Sequence, residues 1–168
     1  TQKITQGYAA AVSTSTPGLG QAVKTLSVSD FNGDRRPDLL RIRRDGTLWL
    51  HPGQGKGAHG SPQRIGSGWN IYREVTSPGD FNGDGLADLI AVTHDGTLWF
   101  YAGTGKVDSR NEGYKPAFRI GTGWGIFNQV LGSPDLNGDR RPDLLARHRD
   151  GSLWLYRGTG RVGGGAEG

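Results

Sequence analysis

The run DFNGDRRPD, residues 30–38, carries Asp30, Asn32, Asp34 and Asp38, with Arg36 between the last two. Side-chain oxygens at positions 1, 3, 5 and 9, with a backbone carbonyl at position 7 (here that of Arg36), are the spacing by which a tight loop wraps a hard cation. The run returns twice. DFNGDGLAD offers Asp80, Asn82, Asp84, Asp88 and the Leu86 carbonyl, and DLNGDRRPD offers Asp135, Asn137, Asp139, Asp143 and the Arg141 carbonyl. Three carboxylates held that close repel one another without a counter-charge. Oxygen-only ligands at flexible geometry suit calcium (Ca2+) better than magnesium or zinc, so up to three calcium ions per chain are expected, acting as staples. The competing reading is three solvated Asx turns, for which Asp, Asn and Gly are also the preferred residues. Recurrence at matching places favours the metal.

Something must hold three such loops equivalently, and the sequence around them repeats. Asp30 to Asp80 is 50 residues and Asp80 to Asp135 is 55. After the loops come LLRIRRDGTLWLHPGQG from Leu39, LIAVTHDGTLWFYAGTG from Leu89 and LLARHRDGSLWLYRGTG from Leu144. In each, an apolar run meets Asp-Gly, then an aromatic-rich run ending in Gly-x-Gly. Asp45-Gly46, Asp95-Gly96 and Asp150-Gly151 read as equivalent hairpin turns, of the two-residue type that needs φ > 0 at both positions. RIGSGWNIYREV from Arg64 and RIGTGWGIFNQV from Arg119 each add a strand through Ile65 or Ile120, a turn ending at Trp69 or Trp124, and a strand through Val75 or Val130. Four strands per period and no helical periodicity predict an all-β chain, a β-propeller of four-stranded blades with three repeats per chain. The expected division is blade 1 over 22–69, blade 2 over 70–124 and blade 3 over 125–168, the last without its outer strand. Trp49, Trp99 and Trp154 recur mid-strand and read as blade packing.

Composition narrows the function classes. Among 168 residues there is no Cys, which excludes disulfides and thiolate chemistry, and 30 glycines fit many tight turns. The net charge of +4 is spread through the repeats and forms no basic tail, so nucleic acid is not the expected partner. No apolar run is long enough for a membrane span. His51, His59, His94 and His148 belong to no catalytic motif, and there is no Gly-x-Ser-x-Gly, His-Glu-x-x-His or phosphate loop. The expectation is a binding module and not an enzyme.

The acidic run followed by a strand and Asp-Gly resembles the FG-GAP or VCBS-type repeat over residues 22–160. That resemblance implies a calcium-binding propeller of a secreted protein. Family repeats usually have Gly at loop position 6, as Gly85 is here. Arg35 and Arg140 depart from it, and if that position needs φ > 0 these two loops are strained and weaker for calcium. IGSGWNIY from Ile65 and IGTGWGIF from Ile120 are similar to the Gly-Trp-Asn repeats of tachylectin-type propellers, which implies a sugar site at Trp69, Asn70 and Trp124. An indole beside small glycines and an amide suits a pyranose face. The other reading is that Trp69 and Trp124 seal adjacent blades.

The ends carry the last expectations. KITQGY from Lys3 matches RIGSGW in its basic residue, Ile, Gly and aromatic, so residues 1–8 are expected to complete the last blade, with Tyr8 at the place of Trp69 and Trp124 and a ligand-site candidate like them. Residues 9–21 read as a small-residue insertion or linker. Three blades are fewer than propellers use. The ring is therefore completed by a second copy, a homodimer of six blades being favoured, or by blades outside this chain. The function expected is a secreted, calcium-stabilised binding module with carbohydrate the favoured ligand. The alternative is a non-catalytic scaffold or protein-interaction domain of a secreted enzyme or assembly.

Overall fold

A computed structural model describes residues 22–162. The first sheet is built from β1 (Ala22–Val28), β2 (Asp38–Arg43) and β3 (Leu48–His51), with a small hairpin of β4 (Gly53–Gly55) and β5 (Ala58–His59) before its outer strand β6 (Gln63–Gly66). The second repeats that order in β7 (Tyr72–Gly79), β8 (Asp88–Thr93) and β9 (Leu98–Tyr101), a longer hairpin of β10 (Gly103–Asp108) and β11 (Asn111–Tyr114), and β12 (Phe118–Gly121). The third has β13 (Phe127–Ser133), β14 (Asp143–His148) and β15 (Leu153–Tyr156). Spatial orders β1-β2-β3-β6, β7-β8-β9-β12 and β13-β14-β15, all antiparallel, make these the meander sheets of propeller blades. The described chain is all-β, its only helical pieces being the 3-10 turns Trp69–Ile71 and Trp124–Ile126. The segment KITQGY with Tyr8, and residues 9–21, lie outside the described residues.

The hairpin turns stand where the Asp-Gly pairs predict, but they are of another type. Only the glycines, Gly46, Gly96 and Gly151, have φ > 0, at 79°, 85° and 91°. Arg43 N–H donates to Thr47 C=O at 3.0 Å and Gly46 N–H to Arg43 C=O at 3.0 Å. That is a three-residue loop, a tight turn followed by a left-handed glycine. The aspartate explains it: Asp45 Oδ1 accepts from Thr47 N–H at 2.9 Å and Thr47 Oγ1 at 2.7 Å, which holds Asp45 out of the left-handed region.

Strand pleating sends alternate residues to opposite faces, and the faces turned to a neighbouring blade are buried. Leu40, Ile42, Leu48 and Leu50 of blade 1 pack with Leu89 and Ala91 of blade 2. Ile90, Val92, Leu98 and Phe100, from the other face of blade 2, pack with Leu144 and Ala146 of blade 3. The core is thus two seams. Trp99 packs into the first, as its mid-strand place predicts. On the far face of blade 3, Leu131, Leu153 and Leu155 are 45, 65 and 44 % exposed.

Candidate metal loops and ligand seam

Each acidic loop is wound around its own carboxylates. In the second loop Asp80 Oδ1 accepts from the N–H of Gly83 and Asp84, both at 2.8 Å, and its Oδ2 from that of Gly85 at 2.8 Å. Asn82 Oδ1 accepts from Asp84 N–H at 2.8 Å, and Asp84 Oδ1 from Leu86 N–H at 3.0 Å. The first and third loops repeat the scheme through Asp30, Asn32 and Asp34, and through Asp135, Asn137 and Asp139. Position 6 is left-handed in all three: Arg35 at φ 67°, Gly85 at 85° and Arg140 at 69°. Its N–H turns inward to the first aspartate, which is the purpose of that conformation. For Arg35 and Arg140 the Cβ makes it costly, by about 1 kcal/mol.

The ninth-position aspartates do something the sequence did not reveal. Asp38, Asp88 and Asp143 are 1, 0 and 0 % exposed. Asp88 Oδ2 takes the N–H of Phe81 and Asn82 at 2.9 and 3.2 Å, and Oδ1 takes that of Gly103 at 2.8 Å. Asp38 and Asp143 hold Gly53 and Gly158 in the same way, at 2.7 and 3.0 Å. Each thus clasps its loop to the chain leaving the third strand. The glycine is required: a Cβ on Gly53, Gly103 or Gly158 would lie 2.0, 2.1 or 1.9 Å from the carbonyl oxygen of Pro37, Ala87 or Pro142. Burial pushes the Asp88 carboxyl up and its N–H bonds to Gly103, Phe81 and Asn82 pull it part of the way back, which leaves it raised to about 6.

The donors are all oxygens, and lone pairs remain at every ligand position. Asp80 Oδ2, Asn82 Oδ1, Asp84 Oδ1 and Asp88 Oδ1 each accept one backbone N–H bond and can accept one more. This donor set fits a hard cation. As they stand the side chains are satisfied by backbone, and among the described residues no three His, Cys, Asp or Glu groups form a preassembled metal cluster.

Trp69 and Trp124 sit at the two seams, each with its N–H on the hairpin turn of its own blade, Gly46 C=O or Gly96 C=O, at 2.9 Å. Trp69 is 2 % exposed. Its ring lies on Tyr101 at 4.7 Å, against Tyr72 at 5.6 Å and edge-on to Tyr114 at 5.4 Å, and its Nε1 donates to Tyr114 Oη at 3.3 Å. This is the sealing geometry of the two readings, with no ring face left for a sugar. Asn70 closes over its own hairpin, where a Cβ on Gly46 would meet Asn70 Oδ1 at 2.5 Å. Trp124 is 9 % exposed and borders a cavity of about 320 Å³ together with Ile120, Thr122, Phe127, Tyr156 and Arg157.

The family model described as FG-GAP-like repeat matches residues 30–91, from the first acidic loop through the second and into β8. That stretch is similar to an FG-GAP-like repeat. No curated protein matches the chain. The third acidic loop lies beyond the matched FG-GAP-like stretch yet carries the same hydrogen bonds, Gly138 N–H to Asp135 at 2.7 Å and Leu136 N–H to Asp143 at 2.8 Å among them. Two groups of functional residues escaped the sequence reading. The Gly53, Gly103 and Gly158 clasps were visible only as the first Gly of Gly-x-Gly. Tyr114, which closes the first seam, stands in the segment that makes the second period 55 residues instead of 50.

Proposed function

We propose that this chain is a secreted, calcium-stabilised binding module of β-propeller type, not an enzyme, whose ligand enters the seam between the second and third blades. The supporting observation is the cavity of about 320 Å³ beside Trp124, at a seam whose counterpart around Trp69 is closed. Carbohydrate is the ligand class carried over from the sequence, and Trp124, Thr122 and Arg157 are its stacking and polar groups. Calcium, when bound, supplies the positive charge that offsets three carboxylates per loop; the chain's part is to aim the oxygens and keep the loop wound.

A glycan array with Trp69→Ala and Trp124→Ala tests the reading. Trp124→Ala should lose binding and keep its fold, whereas Trp69→Ala should lose stability first, having its packing against three rings to lose. Binding that survives Trp124→Ala overturns the site. A second reading, assembly, is favoured by the exposed face of Leu131, Leu153 and Leu155, which in blades 1 and 2 has buried counterparts such as Leu48 and Leu98. A second copy supplying its first blade there would extend the ring. Native mass in solution decides it: a single-chain mass at all concentrations removes the assembly reading.

A further inference from the structure

The first seam contains four packed rings and the second contains three of them. Trp69, Tyr101 and Tyr72 have centroid separations of 4.7, 5.6 and 6.1 Å, for Trp69–Tyr101, Trp69–Tyr72 and Tyr72–Tyr101. Trp124, Tyr156 and Phe127 reproduce them at 4.5, 5.5 and 5.8 Å, with interplanar angles of 39°, 57° and 84° against 30°, 59° and 89°. The fourth ring, Tyr114, stands 5.4 Å from both Trp69 and Tyr101, edge-on to each. Its hydroxyl accepts from Trp69 Nε1 at 3.3 Å and donates to the Ile65 carbonyl at 3.1 Å. At the second seam no described side chain takes that place. The cavity beside Trp124 lies there.

We propose that this cavity is a binding site for a p-hydroxyphenyl group, held in the pose that Tyr114 adopts one seam earlier. It rests on the reading of the second seam as the ligand site and names the chemistry of its inner end. The hydroxyl accepts from Trp124 Nε1 and donates to the Ile120 carbonyl, while the ring stands edge-on to Trp124 and Tyr156. The room is kept by glycine at both seams. A Cβ on Gly66 would meet the Tyr114 hydroxyl at 2.2 Å, and on Gly121 it would meet Trp124 Nε1 at 3.0 Å. Two differences adapt the second seam to a diffusible ligand. Tyr72 and Tyr101 pair their hydroxyls at 2.6 Å, whereas Phe127 has none to offer Tyr156. Arg157, which lines the cavity, replaces Ala102 of the second blade, so a hydroxyphenyl group with an anionic tail is favoured.

The test compares 4-hydroxyphenylacetate with phenylacetate, by ligand-detected NMR titration of the full chain. The hydroxylated acid should bind about tenfold more tightly, because without it the indole N–H and the carbonyl stay unmatched. Trp124→Phe, which keeps a ring and removes the donor, should cut that preference severalfold. The group has two sources, a small phenolic acid or a tyrosine side chain of this chain, and Tyr8→Ala separates them. Uptake by the unaltered chain assigns the small molecule; uptake only after Tyr8→Ala assigns the site to Tyr8 itself. Equal affinity for the two acids overturns the proposal, as does a preference that survives Trp124→Phe, or no uptake by either form. A glycan that binds at Trp124 while neither acid competes leaves the seam reading standing and removes only the phenol site.

Discussion

Replacing Gly103 by Ala tests the clasp beneath the second acidic loop. The new Cβ would sit 2.1 Å from the Ala87 carbonyl oxygen and 3.0 Å from its carbon, both backbone atoms that cannot rotate away. Relieving the overlap takes a shift of about 1 Å, costing about 1–3 kcal/mol as overpacking. The same shift stretches the 2.8 Å bond from Gly103 N–H to Asp88 Oδ1. A hydrogen bond to a charged group contributes about 1.5–3 kcal/mol, and the stiffer unfolded chain returns about 0.4–1 kcal/mol. The net loss expected is about 2–5 kcal/mol, a large part of the stability of a domain this size. Gly125→Ala is the matched control, since its Cβ would meet nothing closer than 3.7 Å and its φ is not positive; it should change stability by less than about 1 kcal/mol. Urea denaturation with calcium and again with chelator reads both variants. The difference must persist in chelator, because Gly103 is not a loop oxygen donor. If the two variants fall within about 1 kcal/mol of each other, the clasp contributes little and the close approach is relaxed in solution.

Two further outcomes are expected. Arg35→Gly and Arg140→Gly should each stabilise the chain by about 1 kcal/mol and Gly85→Ala should destabilise it by a similar amount, as melting curves would show; a loss in both arginine variants would mean that φ > 0 is not what position 6 requires. His51 is 2 % exposed, and burial, with Arg41, His59 and Arg43 nearby, pushes its imidazole down to about 4. At His51 the folded state therefore binds fewer protons than the unfolded one between about pH 4 and 6.5, so the His51 contribution to stability should fall on acidification through that window, by up to about 3 kcal/mol, while Asp88, held up to about 6, contributes in the opposite direction. His51→Tyr, which copies Tyr101 at the equivalent place, should flatten that slope in urea titrations at pH 4.5 and 7; an unchanged slope would assign it to other groups.

The blades were legible because their signals are local. Short apolar runs mark β2, β8 and β14, and Asp-Gly marks each hairpin, so strand order follows from the repeat. The turn type was not, because the Asp45 carboxylate captures the Thr47 hydroxyl and amide, a choice that the pair Asp-Gly alone does not announce. Position 6 was legible through the family resemblance, because the glycine usual there, Gly85 in this chain, points to a backbone requirement that Arg35 and Arg140 also meet. The double life of Asp38, Asp88 and Asp143 was not: ligand spacing names them as oxygen donors, but their burial depends on Gly53, Gly103 and Gly158, which lie 15 residues on. Trp69 and Trp124 occupy matching motifs, so the motif alone does not separate a sealed ring from one beside a cavity. The separating residue is Tyr114, contributed by the neighbouring blade.

The acidic loops and the seams are one construction, and on the proposed calcium reading this predicts an order of metal affinity. A Cβ on Gly33 in the first loop would meet the Gly105 carbonyl oxygen of the next blade at 2.2 Å, and one on Gly83 in the second loop would meet that of Gly160 at 2.7 Å. Gly138, at the same place in the third loop, has nothing within 4 Å. The second loop is thus buttressed and carries glycine at position 6, the first is buttressed but bears Arg35, and the third bears Arg140 with no buttress. A preorganised loop spends less of its binding free energy on ordering. Calcium should fill the second loop first, the first next and the third last, with Asp84→Asn, Asp34→Asn and Asp139→Asn each removing its own step from a calorimetric titration. Because native-state binding stabilises with the logarithm of free calcium over the dissociation constant, Asp84→Asn should also lower the melting temperature most at micromolar calcium and not at all in chelator. A second copy seated on blade 3 would give Gly138 the neighbour that Gly33 has, so the third step should tighten as protein concentration rises. A third loop that fills first, at any concentration, would show that the seams do not set the metal order.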